Sequence, residues 1–184
     1  TLTMSGAGTS TISGIRLTTN STNIIAVTGS VASILNVENC YLNISNNTGI
    51  SHTSSSASSK IRFINCRGDI GTTGITLYTK TSAGTIEFHY TYIDNSGLST
   101  TASDNSVNFV SFWHSTIAVA LTTSSTGLLN ANWSYFANGS AGLTPITTAG
   151  TGATNFFRHC EIYGGTSSGI SIGSGTTLFA TGCL

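Results

Sequence analysis

Residues 35–42 read LNVENCYL and residues 61–68 read IRFINCRG, and the two stretches share one frame. In both, apolar residues stand five and three positions before a cysteine, and an asparagine stands directly before it. Alternation of apolar residues over so short a distance is typical of a β-strand with one buried face. The two stretches therefore predict equivalent strands followed by equivalent bends, with Cys40 and Cys66 at matching positions.

The frame returns along most of the chain when a small hydroxyl residue is allowed in place of the cysteine. The resulting anchor positions are Cys40, Cys66, Thr91, Ser115, Ser134, Cys160 and Cys183. Successive anchors are 26, 25, 24, 19, 26 and 23 residues apart. The position five before the anchor holds Leu35, Ile61, Ile86, Val110, Leu129, Asn155 and Leu178, and the position three before it holds Val37, Phe63, Phe88, Phe112, Ala131, Phe157 and Ala180. A repeat of this length predicts stacked coils that share one core.

The step of three residues into the anchor breaks the alternation, so a bend is expected there. Asn39 and Asn65 stand at this bend, where Asn tolerates a left-handed backbone, and His114 and His159 occupy the same position. Another strand per coil is expected at Ile50, Ile75 and Ile170, each of which follows a glycine. Residues 14–17 (GIRL) match that second strand, which implies a first coil with its anchor near Ser5.

Composition agrees with an all-β protein. Ser and Thr number 60 and Gly 21, which disfavours helix interiors, whereas 39% apolar residues and zero net charge favour a packed chain over a disordered one. We predict a right-handed parallel β-helix over residues 1–184, a single-stranded solenoid of about eight coils of roughly 19–26 residues. A β-sandwich is the alternative, but its strands need not keep one phase over seven repeats.

The frame of Ile or Leu, x, Phe or Val, x, Asn-Cys, followed later by Gly-Ile, resembles the pectate-lyase-like right-handed β-helix superfamily. The resemblance covers nearly the whole chain. That superfamily includes polysaccharide lyases and hydrolases, bacteriophage tailspikes and tail fibres, and autotransporter-type adhesins. The resemblance implies an architecture, and the function has to be argued from sites.

Charged residues are scarce, with six Lys and Arg and six Asp and Glu in the chain. No basic patch or polybasic tract is present, and apolar runs fall far short of the roughly 20 residues that span a bilayer. Neither nucleic acid nor membrane is therefore expected as a partner.

The cysteines are predicted to be buried, reduced and space-filling. Cys40 and Cys66 are neighbours in an inward column, as are Cys160 and Cys183, at a Cα separation of about 4.8 Å that a disulfide could bridge. Hydroxyl residues fill the same slot in other coils, which favours a packing role. Two sulfurs without a converging histidine fall short of a zinc site, so no metal or cofactor is expected.

Two aspartates are the catalytic candidates. Asp69 and Asp94 both lie three residues after an anchor and should stack on adjacent coils, close to the roughly 5–5.5 Å of a retaining glycosidase pair. The alternative is a solvated surface pair. Arg62 and Glu87 are also equivalent on adjacent coils and are predicted to form a surface salt bridge.

Outward positions supply the candidates for binding. The position after the anchor holds Tyr41, Arg67, Tyr92, Thr116, Tyr135 and Glu161, and the position two before it holds Glu38, Ile64, His89, Trp113, Asn132 and Arg158. Aromatic faces beside polar groups serve glycan binding and protein contact, and they also stabilise a sheet as neighbouring pairs. The candidate residues for glycan or partner binding are Tyr41, Arg67, His89, Tyr92, Trp113 and Tyr135.

These features predict a structural and host-attachment protein on a virion surface, a segment of a phage tail fibre or tailspike that contacts cell-surface glycans. Expected partners are other virion subunits in a homo-oligomer such as a trimer, and host polysaccharide, with a virion-surface or extracellular location. The alternatives are an autotransporter-type bacterial adhesin and a polysaccharide lyase or glycoside hydrolase. Because residue 184 falls inside a repeat and Thr1 to Ser5 already read as a strand, we expect a longer chain or neighbouring subunits to cover the ends.

Overall fold

A computed structural model of the chain describes residues 2–19, 24–44, 50–69, 75–80, 84–94, 96–100, 105–111, 113–116, 121–123, 128–138, 146–148, 154–164 and 170–184. The described residues form 23 β-strands and no helix. Among them there is accordingly no helix with the length and hydrophobicity needed to cross a membrane.

The strands belong to three sheets of eight, eight and seven strands. The first sheet contains β1 (Leu2–Met4), β4 (Ile25–Val27), β7 (Ile50–His52), β10 (Ile75–Lys80), β13 (Ser96–Thr100), β16 (Leu121–Thr123), β19 (Ile146–Thr148) and β22 (Ile170–Ile172). The second contains β2 (Gly8–Ser13), β5 (Ser33–Glu38), β8 (Lys60–Ile64), β11 (Gly84–His89), β14 (Asn105–Val110), β17 (Leu128–Asn132), β20 (Thr154–Arg158) and β23 (Thr177–Thr181). The third contains β3 (Arg16–Thr19), β6 (Tyr41–Ile44), β9 (Arg67–Asp69), β12 (Tyr92–Asp94), β15 (Trp113–Thr116), β18 (Tyr135–Asn138) and β21 (Glu161–Gly164).

Each strand pairs in parallel with the strand three places later in the chain, as β5 does with β8 and β8 with β11. The chain adds one strand to each of the three sheets in turn, and each new strand pairs with the previous strand of the same sheet, which is the arrangement of a solenoid. The predicted all-β parallel β-helix is therefore confirmed. Its strands alternate as expected: β5 buries every second residue, starting at Ser33, and leaves the residues between them half-exposed.

Two stacked columns of apolar side chains fill the interior behind the second sheet. The column five residues before the anchor is buried and in register at Leu35, Ile61, Ile86 and Leu129. The next column is buried at Val37, Phe63 and Phe88. The rings of Phe63 and Phe88 stack with centroids 5.1 Å apart and planes within 13°. For these residues the predicted core columns are confirmed.

A residue with a left-handed backbone marks the corner between the second and third sheets in every coil. We call this set the corner column, and its members are Gly14, Asn39, Asn65, Tyr90, Ser111, Trp133, His159 and Gly182. The φ angles of its six non-glycine residues lie between 49° and 53°. The N–H of each of the first seven donates to a carbonyl of the next coil, as Asn65 N does to His89 O at 2.9 Å. Left-handed backbone costs most residues about 1–2 kcal/mol and is easiest for Gly and Asn.

The small residue after the corner closes the bend with a hydrogen bond. The hydroxyls of Thr91 and Ser134 donate to the carbonyl two residues earlier, each at 2.9 Å. The thiols do the same over longer distances, from 3.2 Å for Cys40 to 3.6 Å for Cys183. This shared donor explains why Cys, Ser and Thr interchange at the anchor, which the sequence analysis attributed to volume alone.

All four cysteines are free thiols. Cys40, Cys66 and Cys160 are buried as predicted, and Cys183 is half-buried. Burial raises the pKa of Cys66 to about 11 and also raises that of Cys160, so both sulfurs stay protonated at neutral pH.

The predicted register is wrong in the coil that contains β14 and β15. Val107 pairs with Ile86 and Phe109 with Phe88, whereas Val110 pairs with the outward His89. The left-handed residue is Ser111, so Ser115 is not the anchor and Phe112, which follows the bend, lies outside the described residues. Corner residues are consequently 25, 26, 25, 21, 22, 26 and 23 residues apart, without the predicted spacing of 19. His114 lies within β15 opposite Ile93 rather than at a corner.

The predicted first coil also needs correction. Gly14 is a corner residue, with a φ of 69°, and Arg16 pairs with Tyr41 in the third sheet. Residues 14–17 therefore form the corner and third-sheet strand of their coil, and the expected anchor near Ser5 is wrong. Ile50, Ile75 and Ile170 do lie in the first sheet as predicted.

Two residues depart from the apolar interior: Gly68, in register with Leu42 and Ile93 of the third sheet, and Asn155 of the second sheet. A Cβ on Gly68 would lie 2.8 Å from Ile93 Cδ1, so the isoleucine of the next coil fills the space above this glycine. Asn155 is buried in the column that holds Leu35, Ile61, Ile86 and Leu129, and its side-chain amide donates to the Thr177 carbonyl at 3.5 Å.

Candidate functional site

An array of aromatic and charged residues occupies one position of the third sheet in the described coils. We call it the outer ladder, and its members, in register on consecutive coils, are Arg16, Tyr41, Arg67, Tyr92, Trp113, Tyr135 and Glu161. Each follows the anchor position of its coil, where the parallel pairing of the third sheet stacks equivalent residues. The ladder contains five of the six residues predicted to bind a glycan or partner.

Cations and rings alternate at one end of the outer ladder. The guanidinium carbon of Arg16 lies 5.0 Å from the centroid of the Tyr41 ring, and that of Arg67 lies 5.4 Å from the Tyr92 ring. These are cation–π distances, and they fix the arginine side chains as well as the tyrosines. At the other end, burial and the nearby Glu161 carboxylate raise the pKa of Tyr135, so its hydroxyl remains a hydrogen-bond donor.

Trp113 enters the ladder through a correction of register. The sequence analysis placed it beside His89, in the column two before the anchor, and placed Thr116 in the ladder. Trp113 instead lies between Tyr92 and Tyr135, and Thr116 pairs with Asn138. The position beside His89 belongs to Val110.

His89, the sixth candidate, lies on the second sheet in a separate polar cluster. Glu87 is at its centre and accepts hydrogen bonds from Lys60 Nζ at 2.9 Å and Arg62 Nε at 2.8 Å. The Nε2 atom of His89 lies 3.6 Å from the same carboxylate. Burial raises the pKa of Glu87, but the hydrogen bonds from Lys60 and Arg62 outweigh it and the pKa falls below its ordinary value. The predicted Arg62–Glu87 pair is confirmed, and Lys60 is an added partner.

A cavity of about 450 Å³ adjoins this cluster and is lined by Arg62, Ile64, Glu87, His89 and Tyr90. Its volume is in the range of small-molecule sites, about 300–1,000 Å³. It combines one tyrosine, one aliphatic side chain and three charged or polar side chains, so it presents apolar surface beside hydrogen-bonding groups. The Tyr90 side chain is 66% exposed and comes from the corner column.

The corner column carries further exposed rings. Trp133 is 66% exposed, and its ring stacks on that of His159 with centroids 4.2 Å apart and planes within 12°. Tyr90 and Trp133 are not among the predicted binding residues, because the corner position was interpreted only as a turn. An aromatic residue at a position where neighbouring coils have Asn was the available signal.

The two catalytic candidates are in register. Asp69 and Asp94 are Cα partners in β9 and β12, so they stack on adjacent coils as predicted. Adjacent parallel strands lie about 4.8 Å apart, which is compatible with a two-carboxylate site. Their catalytic role stays a hypothesis.

Within the described ranges, no three His, Cys, Asp or Glu residues are grouped as a metal site would require. The chain matches no protein-family model, no curated protein and no solved structure. Its function must therefore be argued from its own surface.

Proposed function

We propose that the chain is a structural and host-attachment segment on a virion surface, of the phage tail-fibre or tailspike kind, which contacts cell-surface glycans. The observation that carries this proposal is the outer ladder. Tyrosine and arginine side chains stand in register on consecutive coils of a surface otherwise dominated by hydroxyl and amide groups. Such a ladder offers flat apolar faces and donors to an extended ligand.

The architecture supports the same role. A solenoid holds its outward residues at a spacing of about 4.8 Å per coil, so a repeating ligand can meet equivalent groups at successive levels. With 12 formally charged side chains, the surface favours hydrogen bonding and stacking over charge-driven association. Other subunits of the same particle are the expected protein partners.

Immunogold electron microscopy tests the location. Antibodies against the purified chain should label concentrated virus particles at their attachment structures. Labelling confined to bacterial cell surfaces would instead support the adhesin alternative and contradict ours.

Cell binding by the fluorescently labelled chain tests the ladder. Tyr92→Thr should reduce binding to susceptible cells by about tenfold, since it removes the ring that Arg67 covers. Tyr163→Thr is the matched control, because Tyr163 is an exposed tyrosine of the same sheet outside the ladder. Equal binding by both variants would exclude the ladder as the contact surface.

A second candidate function, polysaccharide cleavage, is favoured by the register of Asp69 and Asp94. Reducing ends released from capsular or algal polysaccharide would support it, provided that Asp94→Asn abolishes the release. Product formation that survives this substitution would remove the two aspartates from consideration.

A further inference from the structure

The exposed rings of the corner column are not explained by folding. Tyr90 and Trp133 hold left-handed backbone at φ values of 49° and 52°, yet each side chain is 66% exposed. Asn39 and Asn65 occupy the same position at lower backbone cost. A large ring in a strained conformation that buries only a third of its surface points to a role in recognition.

The two rings are placed at a regular distance along the solenoid. Tyr90 N donates to Val110 O and Ser111 N to Asn132 O, so Tyr90, Ser111 and Trp133 belong to consecutive coils. Two coil spacings amount to about 9–10 Å, close to the length of a disaccharide. Ser111 is the small residue between them.

Each ring is accompanied by polar groups. Tyr90 lines the cavity that also contains Arg62, Glu87 and His89. The Glu87 carboxylate is held at 2.8 Å by Arg62 and at 2.9 Å by Lys60, so its position is fixed. Beside each other, the carboxylate can accept a hydrogen bond from one sugar hydroxyl and the guanidinium can donate one to its neighbour.

The second ring is supported from one side. His159 stacks on Trp133, and a Cβ at Gly182 would lie 2.8 Å from His159 Nδ1. Gly182 therefore gives the imidazole the space to lie flat beneath the indole. Asn132 and Arg158 precede the two corner residues in their strands and are outward-facing neighbours in register.

We propose that the corner column binds a neutral, hydroxyl-rich glycan, with sugar rings on Tyr90 and on the face of Trp133 that His159 leaves open, and hydroxyls on the Glu87–Arg62 pair. This inference rests on the proposed attachment function and names its ligand class and subsite. A neutral glycan fits because the charges of Arg62 and of the neighbouring Lys60 are engaged by Glu87, so the cluster offers hydrogen bonding rather than a free charge for an acidic sugar. A protein partner fits less well, because interface cores are depleted of charged groups, whereas here charged and amide groups adjoin both rings.

Isothermal titration calorimetry with the full 184-residue chain tests the proposal. The probes are cellohexaose, chitohexaose and hexagalacturonate. We expect binding of at least one neutral hexasaccharide, and a loss of about tenfold in affinity for Tyr90→Asn and for Trp133→Asn. Tyr163→Asn is the matched control, because Tyr163 is an exposed tyrosine outside the corner column, and it should stay within about twofold of the unmodified chain. Since Asn is native to the corner position in two coils, circular dichroism should show both corner variants folded.

Three results would overturn the inference: no binding of either neutral probe, preference for hexagalacturonate, or unchanged affinity in both ring variants. If Tyr92→Thr abolishes cell binding while Tyr90→Asn leaves it intact, the glycan lies on the outer ladder and only this inference fails. If hexasaccharide binding depends on Tyr90 but particles are not labelled by the antibodies, the subsite stands and the virion role fails.

Discussion

The interior columns and the corner column repeat once per coil, but their residues are chosen under different constraints. In the interior column five residues before the anchor, Leu35, Ile61, Ile86 and Leu129 are all buried, and Asn155 is the buried exception. The corner column keeps φ within 49–53° at its six non-glycine members, yet those members are Asn, Tyr, Ser, Trp and His. In the interior column, packing restricts the choice of side chain. In the corner column, the backbone conformation is fixed but packing leaves the side chain free to vary.

Equivalent positions in successive coils can therefore be compared with one another, as substitutions at one position of a protein are compared. Each column samples several residues at one structural position within a single molecule. Where the cheapest residue is known, as Gly or Asn is for left-handed backbone, a departure from it identifies a residue retained for another reason.

The largest effect is expected in the interior. Phe88→Ala should lower the free energy of unfolding by about 3–5 kcal/mol, because it removes one ring of the Phe63–Phe88 stack and leaves a cavity. Denaturant unfolding measures this loss, and Phe88→Leu should cost much less because it keeps most of the volume. A loss below about 1 kcal/mol for the alanine variant would contradict a tightly packed column.

Backbone constraint should give the next largest effect. Gly84 has a φ of 108°, and a Cβ there would lie 2.5 Å from the Ser59 carbonyl oxygen. We expect Gly84→Ala to cost about 2 kcal/mol of stability. Gly6→Ala is the control, since a Cβ on Gly6 meets nothing within 4 Å; equal melting temperatures for the two variants would refute the constraint.

A substitution in the corner column should stabilise the protein, whereas the two substitutions above destabilise it. Tyr90→Asn should raise the free energy of unfolding by about 1 kcal/mol, because Asn adopts left-handed backbone more cheaply. Tyr163→Asn replaces another exposed tyrosine, one whose backbone is not left-handed, and should bring no gain. If thermal melting shows Tyr90→Asn to be destabilising, the ring contributes to the fold and the distinction between the columns weakens.

The smallest effect concerns the polar cluster and depends on pH. The pKa of Glu87 is lowered in the folded chain, so its stabilising contribution is present above the ordinary glutamate pKa of about 4.3 and is lost as pH falls through the folded value. Glu87→Gln should cost about 0.5 kcal/mol at pH 7. That difference from the unmodified chain should shrink toward pH 3, and a difference that grows on acidification would reverse the sign we assign.

Much of the architecture was predictable because the cysteine frames at residues 35–42 and 61–68 combine period-two alternation with a bend residue. The failure in the coil of β14 has a physical origin. Residues 107–112 contain two apolar pairs offset by three, Val107 with Phe109 and Val110 with Phe112, and either pair satisfies the alternation. The register between β14 and β11 places Val107 and Phe109 in the interior columns. Sequence periodicity alone cannot distinguish them from Val110 and Phe112.

The candidate site, like the fold, was predictable in the coils whose anchors were identified correctly. The ladder positions were predicted correctly where the anchor was correct, as for Tyr41, Arg67, Tyr92 and Tyr135. Trp113 was assigned to the wrong column because the anchor of its coil was wrong. The partner Lys60 was missed because it lies at the start of β8, outside the frame that was aligned. Tyr90 and Trp133 were not predicted as binding residues because the bend was interpreted only by its tolerance of left-handed backbone and not by the side chains that it exposes.

The direction of the hydrogen bonds also determines how the molecule responds to force. Strands of successive coils are joined by parallel pairing along the stacking direction, so tension applied to the ends of the chain peels one coil from the next. Corner residues are 21 to 26 residues apart, and each released coil would lengthen the tether by about 70–90 Å. Under tension the chain should therefore unfold one coil at a time and dissipate mechanical energy at each step.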